Sequence, residues 1–313
     1  MSGVTASSEF LDDVLAGLSL SQKAIPGKYL WDEAGSLLFD RICETADYYP
    51  TGRETAILRR EAAEIARLVG PRASLVEFGS GASHKVRILL DALAEPRRYV
   101  AIDISGELLA SAASRIAGDY PGVEVVPVCA DYSRPLSLPL QEGGPRQDAG
   151  PVLGFFPGIA IGNFATADVV AFLARARTTL GKSWFLIGAD PNRDQASLSR
   201  AYGGTLMAAF HSNLLSRLVR EAGGELDPGD FRHEIRVLAD PRRVEAHLVA
   251  KRQTTWRIGG RAIHFEPGES IRTDTSYKHA PEFFQGLASR AGWQPVRCWL
   301  DADGLSSLHL LRG

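Results

Sequence analysis

The sequence predicts an α/β protein built on a doubly wound, mainly parallel sheet, with a C-terminal β-hairpin and an inserted α+β domain. Three observations predict it. Between about Arg53 and Asp190, apolar runs of strand length alternate with segments of helical periodicity, the pattern of a parallel sheet covered by helices. The first strand run ends in a glycine turn, Gly79-Ser80-Gly81, that opens a helix. The chain closes with "WQPVRCWLDADGLSSLHLLRG", two strand-like runs about an Asp-Gly pair, which reads as a hairpin.

The elements follow in order. "ETAILRREAAEIARLVG" is helical, "ASLVEFG" a strand and "SHKVRILLDALAE" a helix. "RYVAIDIS", "GELLASAASRIAGDYP" and "VEVVPVCADY" continue as strand, helix and strand. A loop rich in Pro, Gly and Gln spans 135–151, followed by "VLGFFPGIAIGNF" as strand and turn. "TADVVAFLARARTTLG" and "SWFLIGAD" supply one more helix and strand. Two stretches interrupt this alternation. One is the aromatic-rich "AIPGKYLWDEAGSLLFDRICETADYYPTGRE"; the other, 191–278, starts helical and becomes antiparallel strands in "RRVEAHLVAKRQTTWRIGGRAIHFEPGESIRTDTSYK". The expected division is therefore 53–190 with 279–313 as the sheet domain, and 8–52 with 191–278 as a second, substrate-binding domain.

Composition narrows the class. The 313 residues are 45% hydrophobic and 23% charged with a net charge of −2, so the core is large and no basic footprint invites nucleic acid or an anionic membrane. Three well-separated cysteines, Cys43, Cys129 and Cys298, suit a reducing compartment, and Cys129 reads as a small hydrophobe in a buried strand. Seven histidines show no HxH or HExxH spacing, so no metal is expected. No apolar run reaches bilayer length, and "MSGVTASSEFLDD" has no secretory character. A cytoplasmic protein is expected, with a monomer favoured.

A glycine turn after the first strand stands where open α/β sheets bind ligands. It is neither a P-loop nor a complete GxGxxG, since Ala-Ser-His-Lys follows Gly81. Acidic residues close three successive strand runs: Glu77, Asp103 and Asp131. Asp103 can accept from ribose hydroxyls and Asp131 from an adenine amino group, with Tyr132 flanking the ring. Such a set suits S-adenosylmethionine, with its cationic sulfonium, and would repel a pyrophosphate.

The residues also carry a resemblance. "KYLWDEAGSLLFDRI", "YYPTGRE", "LVEFGSGASHKVRILLDAL", "YVAIDIS", "PVCADY", "FFPGIAIGNF", Ala201-Tyr202 and "TDTSYK" resemble, nearly end to end, the histidine-specific α-N-methyltransferases of ergothioneine biosynthesis and the related dimethylallyltryptophan N-methyltransferases. The resemblance implies a Rossmann-like methyltransferase sheet and sulfonium-dependent methylation of an amino acid's α-amine. Gly79 with Ser80 and Gly81, Lys85, Asp103, Asp131 and Tyr132 would contact S-adenosylmethionine. Tyr48 or Tyr49, Asn163 and Tyr202 would hold the α-amino and carboxylate groups. Asp274 and Ser276 would read the imidazole, with Trp31 and Ala246 lining the same pocket. Methyl transfer needs a neutral amine lone pair aimed at the methyl carbon, so positioning supplies much of the rate, and a neighbouring sulfonium disfavours the ammonium form. No dedicated histidine base is required.

Departures from the family pattern gather in the substrate half. The family usually has Glu where Asp274 stands, a bulky Met at Ala246, "GSTIGN" for "GIAIGN" and "AYNDAAG" for "AYGGTLM". A shorter carboxylate beside a smaller side chain leaves room unless Trp31 fills it. The expected substrate is therefore histidine or a related amino acid, with a larger aromatic such as a tryptophan derivative as the alternative. A catalytically silent S-adenosylmethionine-binding partner is the alternative outside enzymes.

Overall fold

A computed structural model describes residues 3–81, 84–138 and 150–313, and side chains from Glu9 onward within them. Most of the Pro/Gly loop expected at 135–151 lies outside the described residues, as do Ala82 and Ser83 after the glycine turn. In chain order the helices are α1 (Gly3–Leu18), α2 (Glu33–Cys43), α3 (Tyr49–Val69), α4 (His84–Ala92), α5 (Gly106–Asp119), α6 (Thr166–Leu180), α7 (Gln195–Gly203), α8 (Thr205–Ala222) and α9 (Pro281–Arg290). The strands are β1 (Ser74–Phe78), β2 (Arg98–Asp103), β3 (Glu124–Cys129), β4 (Val152–Phe156), β5 (Ser183–Ala189), β6 (Phe231–Ala239), β7 (Arg242–Ala250), β8 (Thr254–Ile258), β9 (Arg261–Phe265), β10 (Ser270–Tyr277), β11 (Gln294–Leu300) and β12 (Ser307–Arg312). The chain separates into two compact units, one of residues 50–193 and 278–313, the other of 1–49 and 194–277.

The first unit is a seven-stranded sheet ordered β11-β12-β5-β4-β1-β2-β3. Strands β1 to β5 pair in parallel, whereas β12 runs antiparallel to β5 and β11. The chain steps outward from β1 to β3 and then restarts on the other side of β1 with β4, which puts the switch point at the carboxyl ends of β1 and β4. Alternation along each strand divides the core. Leu75, Tyr99, Phe155 and Leu186 pack with Ile57 and Ile65 of α3, Leu89 of α4 and Leu109 of α5. Val76, Phe78, Phe156 and Phe185 pack on the other face with Phe172 of α6 and Phe284 of α9. Neighbours on a strand therefore serve opposite layers, as the two-residue period requires.

Three local features differ from the sequence expectation. β3 is the edge strand, and Cys129 at its end is exposed rather than buried; an edge strand has a partner on one side only. The Asp-Gly pair of the C-terminal hairpin lies inside a six-residue loop, 301–306, instead of forming a two-residue turn. That loop is organised by Asp301, a buried side chain that accepts from the backbone N–H groups of Leu305 and Ser306, both at 2.7 Å, and pairs with Arg53 at 3.0 Å. Gly304 takes a left-handed φ of 68° there. The third concerns Glu77, which is sealed inside β1 at 1% exposure with the Tyr99 hydroxyl donating to its carboxyl group. Burial pushes its pKa up to about 8, while the Tyr99 hydrogen bond and the nearby Lys85 charge pull the other way. It is an interior group, not an open acidic strand end.

The chain leaves the sheet after β5 and returns before α9 at almost the same point. Lys278 Nζ pairs with Asp190 Oδ2 at 2.7 Å with both side chains buried, and the His279 N–H donates to the Asp190 carbonyl at 2.8 Å.

The second unit holds the three-stranded antiparallel sheet β10-β7-β6 and the ribbon β8-β9. Its core joins Val14 of α1, Leu214, Leu215 and Leu218 of α8, Leu248 of β7 and a cluster of Phe231, Trp256 and Phe265. Asp32 caps α2 by accepting from the Gly35 N–H at 2.8 Å, and it also accepts from Asn213 and Arg220 of α8. One carboxylate thus starts a helix and docks it on its neighbour.

Asp301→Ala strands two loop N–H groups, while Arg53 keeps its pair with Asp303 at 2.5 Å, so unfolding free energy should fall by about 1–3 kcal/mol in urea titration. Glu77 binds its proton more tightly folded than unfolded, so its contribution to stability is full below the unfolded value near 4.5 and is lost as pH rises towards about 8. Glu77→Gln should therefore raise the urea midpoint more at pH 8 than at pH 5, relative to the parent chain at each pH.

Candidate active site

At the switch point, the backbone and four charged side chains, Asp103, Asp131, Lys85 and Glu54, build the arrangement. The Gly79 and Ser80 N–H groups both donate to the Ile102 carbonyl, at 2.8 and 3.0 Å, which folds the glycine turn back over β2. Gly79 sits at φ 74°, and a Cβ there would come 3.3 Å from the Tyr132 ring. The left-handed conformation favours glycine, and a side chain there would also crowd the Tyr132 ring. Asp103, at the end of β2, accepts from the Gly81 N–H at 2.9 Å and from the Ser105 N–H at 3.0 Å. These bonds fix the carboxylate at the strand end while leaving it partly exposed, with acceptor capacity to spare.

Asp131 holds the next turn, accepting from the Ser133 N–H at 2.8 Å and the Ser133 hydroxyl at 2.6 Å, with Arg134 at 3.6 Å. Tyr132 packs edge-on against Phe156 and Phe172, at 5.4 and 6.1 Å between ring centres. Its ring is thus fixed by the α6 layer. Lys85 lies in the first turn of α4, and its ammonium is paired with the carboxylate of Glu54. His84 begins the same helix and is exposed.

Glu54 is the residue that sequence reasoning missed. It lies on α3, is fully buried, and accepts the Gly158 N–H at 2.8 and 3.0 Å while pairing with Lys85. A Cβ at Gly188 of β5 would collide with its Oε1, so the glycine keeps a channel open for the carboxylate. The signal was present in "YYPTGRE" next to "FFPG" and "LIGAD", but nothing in one sequence says that these three segments meet.

From Gly158 the backbone enters a single 3₁₀ turn, Ala160–Asn163, through Ile159 at φ 55° and ψ 17°. A β-branched residue in the left-handed region is strained, and here it is held by burial and by Gly162 N–H donation to its carbonyl at 2.9 Å. Asn163 closes this turn with its side chain exposed.

The second unit gathers its own set of expected residues. Tyr202 of α7 lies edge-on to Tyr48 at 6.0 Å, and its hydroxyl is 3.3 Å from Ser276 Oγ. Tyr48 contacts Phe39, and Trp31 lies edge-on to both Phe39 and Phe210 at 4.8 and 5.4 Å. Trp31, Tyr48, Tyr202 and Ser276 thus form one chain of contacts through Phe39 and Phe210, two aromatic residues the sequence reading had not singled out. Tyr49 opens α3 and packs partly buried on the same core. Ala246 and Asp274 stand opposite each other across the β7–β10 pair, and Ser276 opposes Val244. Residues facing each other across antiparallel strands share a side of the sheet.

On the same side of this sheet, burial keeps two histidines neutral. His211 of α8 stacks on His233 of β6 at 4.9 Å and 8°, with the pKa of His211 well below its ordinary value and that of His233 lowered to about 4. His247, on β7, lies within 3.1 Å of Ser270 Oγ and 3.2 Å of Glu245 Oε2, so it is a satisfied structural side chain. Among the described residues no three His, Cys, Asp or Glu side chains are grouped to hold a metal ion, and no helix is long and apolar enough to cross a membrane.

The model of the histidine-specific, S-adenosylmethionine-dependent methyltransferases matches residues 10–313. Histidine N-alpha-methyltransferase of Mycolicibacterium smegmatis is 36% identical over 307 residues, covering 95% of this chain and 93% of that protein. The protein of the same name from Mycobacterium tuberculosis is 36% identical over 306 residues, with the same coverage. A 4-dimethylallyltryptophan N-methyltransferase of Arthroderma benhamiae is 27% identical over 304 residues, covering 91% of this chain and 88% of that one. With the match running through the glycine turn, the strand-end carboxylates and the β7–β10 face alike, the chain belongs to the histidine-specific, S-adenosylmethionine-dependent methyltransferase family.

Proposed function

We propose that this enzyme methylates the α-amino group of free histidine or a closely related amino acid, up to the trimethylated betaine. The single observation that best supports the cofactor half is Asp103, whose carboxylate is locked by the Gly81 and Ser105 N–H groups beside the Glu54–Lys85 pair. Such a carboxylate suits a ribose diol, and the Lys85 ammonium suits the cofactor's own carboxylate. Gly79, Ser80 and Gly81 would let the backbone approach, and Asp131 with Tyr132 would take the adenine. The fit is chemical, because Asp103 and Asp131 make this rim acidic where the cofactor is cationic. When bound, S-adenosylmethionine supplies an electrophilic methyl group.

The chain's own residues then have three tasks. Asn163, whose amide both donates and accepts, and the Tyr202 and Tyr49 hydroxyls are assigned to the α-amine and carboxylate of the amino acid. Tyr48 and Trp31 belong to the aromatic cluster that includes Tyr202 and are assigned to the apolar part of the substrate pocket. Asp274 and Ser276 are assigned to the polar edge of the substrate side chain, with Ala246 setting how much volume it can occupy. An α-amine has a reference pKa of about 7.7–8.0, so a neighbouring sulfonium favours its neutral form, and acceptors placed on its N–H bonds leave the lone pair free for the methyl carbon. A tightly oriented amine needs no side-chain base of its own.

Incubation with S-adenosylmethionine and a panel of free amino acids, followed by mass spectrometry, tests the assignment. The expected products are histidine species gaining one, two and three methyl groups, with S-adenosylhomocysteine released. Methylation of tryptophan derivatives in preference to histidine would move the assignment to the larger aromatic substrate, and cofactor binding without any methyl gain would leave a binding protein. Asp103→Asn should weaken S-adenosylmethionine and S-adenosylhomocysteine binding about 10- to 100-fold by calorimetry, the scale of hydrogen bonds to a charged group; equal affinity for parent and variant would remove Asp103 from the cofactor site.

A further inference from the structure

We infer that Thr273, fixed by His211, and Gly27 are positioning residues that set where the Asp274 carboxylate stands, and so determine which amino-acid side chain is accepted. This rests on the assignment of Asp274 to the substrate side chain.

The β7–β10 register is regular at Arg272↔His247 and resumes at Asp274↔Ala246, so Thr273 is one extra residue, a β-bulge. Were Thr273 instead paired in the regular ladder, opposite Ala246, Asp274 would fall opposite Glu245. Glu245 already serves Arg243 at 2.8 Å and His247 at 3.2 Å, and like charges directly opposite one another are destabilising. The slip of one residue instead puts Asp274 and Ser276 opposite Ala246 and Val244. A bulge of this kind re-aims a side chain.

Thr273 shows what holds the bulge. It is fully buried, and its hydroxyl lies 2.9 Å from His211 Nδ1 and 3.3 Å from the Ala246 carbonyl. His211 is on α8 and Ala246 on β7, so one hydroxyl ties the extra residue to the helix and to the facing strand. From the other side, the N-terminal segment runs beside β10: the Ile25 N–H donates to the Arg272 carbonyl at 3.0 Å, and the Arg272 N–H to the Lys23 carbonyl at 2.8 Å. That pairing delivers Gly27 against the carboxylate, where a Cβ would stand 3.1 Å from Asp274 Oδ1 and 3.5 Å from the Thr273 carbonyl. A carboxylate one methylene shorter than glutamate is thereby held from both flanks, by a tethered bulge and by a residue without a side chain.

The test is steady-state kinetics with L-histidine, together with calorimetry for S-adenosylmethionine. Thr273→Val keeps the shape and removes the hydroxyl; it should raise the KM for histidine about tenfold with kcat and cofactor affinity unchanged. Thr273→Ser should restore the parent KM. Gly27→Ala, which leaves the buried hydrogen bonds intact, should raise the KM in the same way. In an Asp274→Asn background neither Thr273→Val nor Gly27→Ala should add a further KM increase, because both act through that carboxylate. If Asp274→Asn alone raises the KM but the other two variants do not, or if they lower kcat and cofactor affinity equally, the positioning role is overturned. If Asp274→Asn itself leaves the KM for histidine unchanged, the assignment of Asp274 to the substrate falls first.

Discussion

One buried carboxylate organises the centre of the sheet unit. Glu54 has no exposure to water, yet it meets an ammonium, a backbone N–H and the space above a glycine from three other segments of the chain. An unpaired charge in that position would be expelled or neutralised, so the arrangement exists only when all its partners are in place. Those partners are the start of α4, which follows the glycine turn, the Gly158 corner that leads to Asn163, and β5 at Gly188. The residues proposed to hold the cofactor and the turn proposed to meet the amino acid are thus positioned by a single side chain on α3.

The strain at Ile159 belongs to the same construction. A left-handed conformation at a β-branched residue persists only where its surroundings over-determine it. Here the Gly158 N–H is clamped by Glu54 on one side, and the 3₁₀ turn closes on the Ile159 carbonyl on the other. In the second unit the corresponding element is the bulge at Thr273. Both units therefore hold a stretch proposed to meet substrate in a locally irregular backbone, and in each case a buried polar group from a helix supplies the restraint.

Much of this was legible in the sequence because it is local. Strand and helix alternation, the glycine turn and the acidic end of β2 each depend on a few consecutive residues whose periodicity or side-chain chemistry carries the signal. Asp103 could be read as an open strand-end carboxylate because that place follows from its position at the end of β2. Glu77 could not, because the same acid one strand earlier is enclosed by Tyr99 and loses its open character. Cys129 was misread since an edge strand and a central strand differ in what pairs beside them, which strand order alone decides. Glu54, Phe39, Phe210 and His211 were invisible for a related reason: each acts on residues far along the chain, and one sequence contains no record of such meetings. The register slip at Thr273 is not a compositional feature at all; "SIRTDTSY" reads equally well as an unbroken strand.

The buried Asp190–Lys278 contact has a consequence beyond stability. Where β5 ends, the chain departs for 84 residues (194–277) and comes back within a single hydrogen bond of its departure point, so the host sheet feels no tension from whatever is threaded through that gap. An excursion whose two ends touch can lengthen, shorten or be replaced wholesale while the catalytic chassis stays the same.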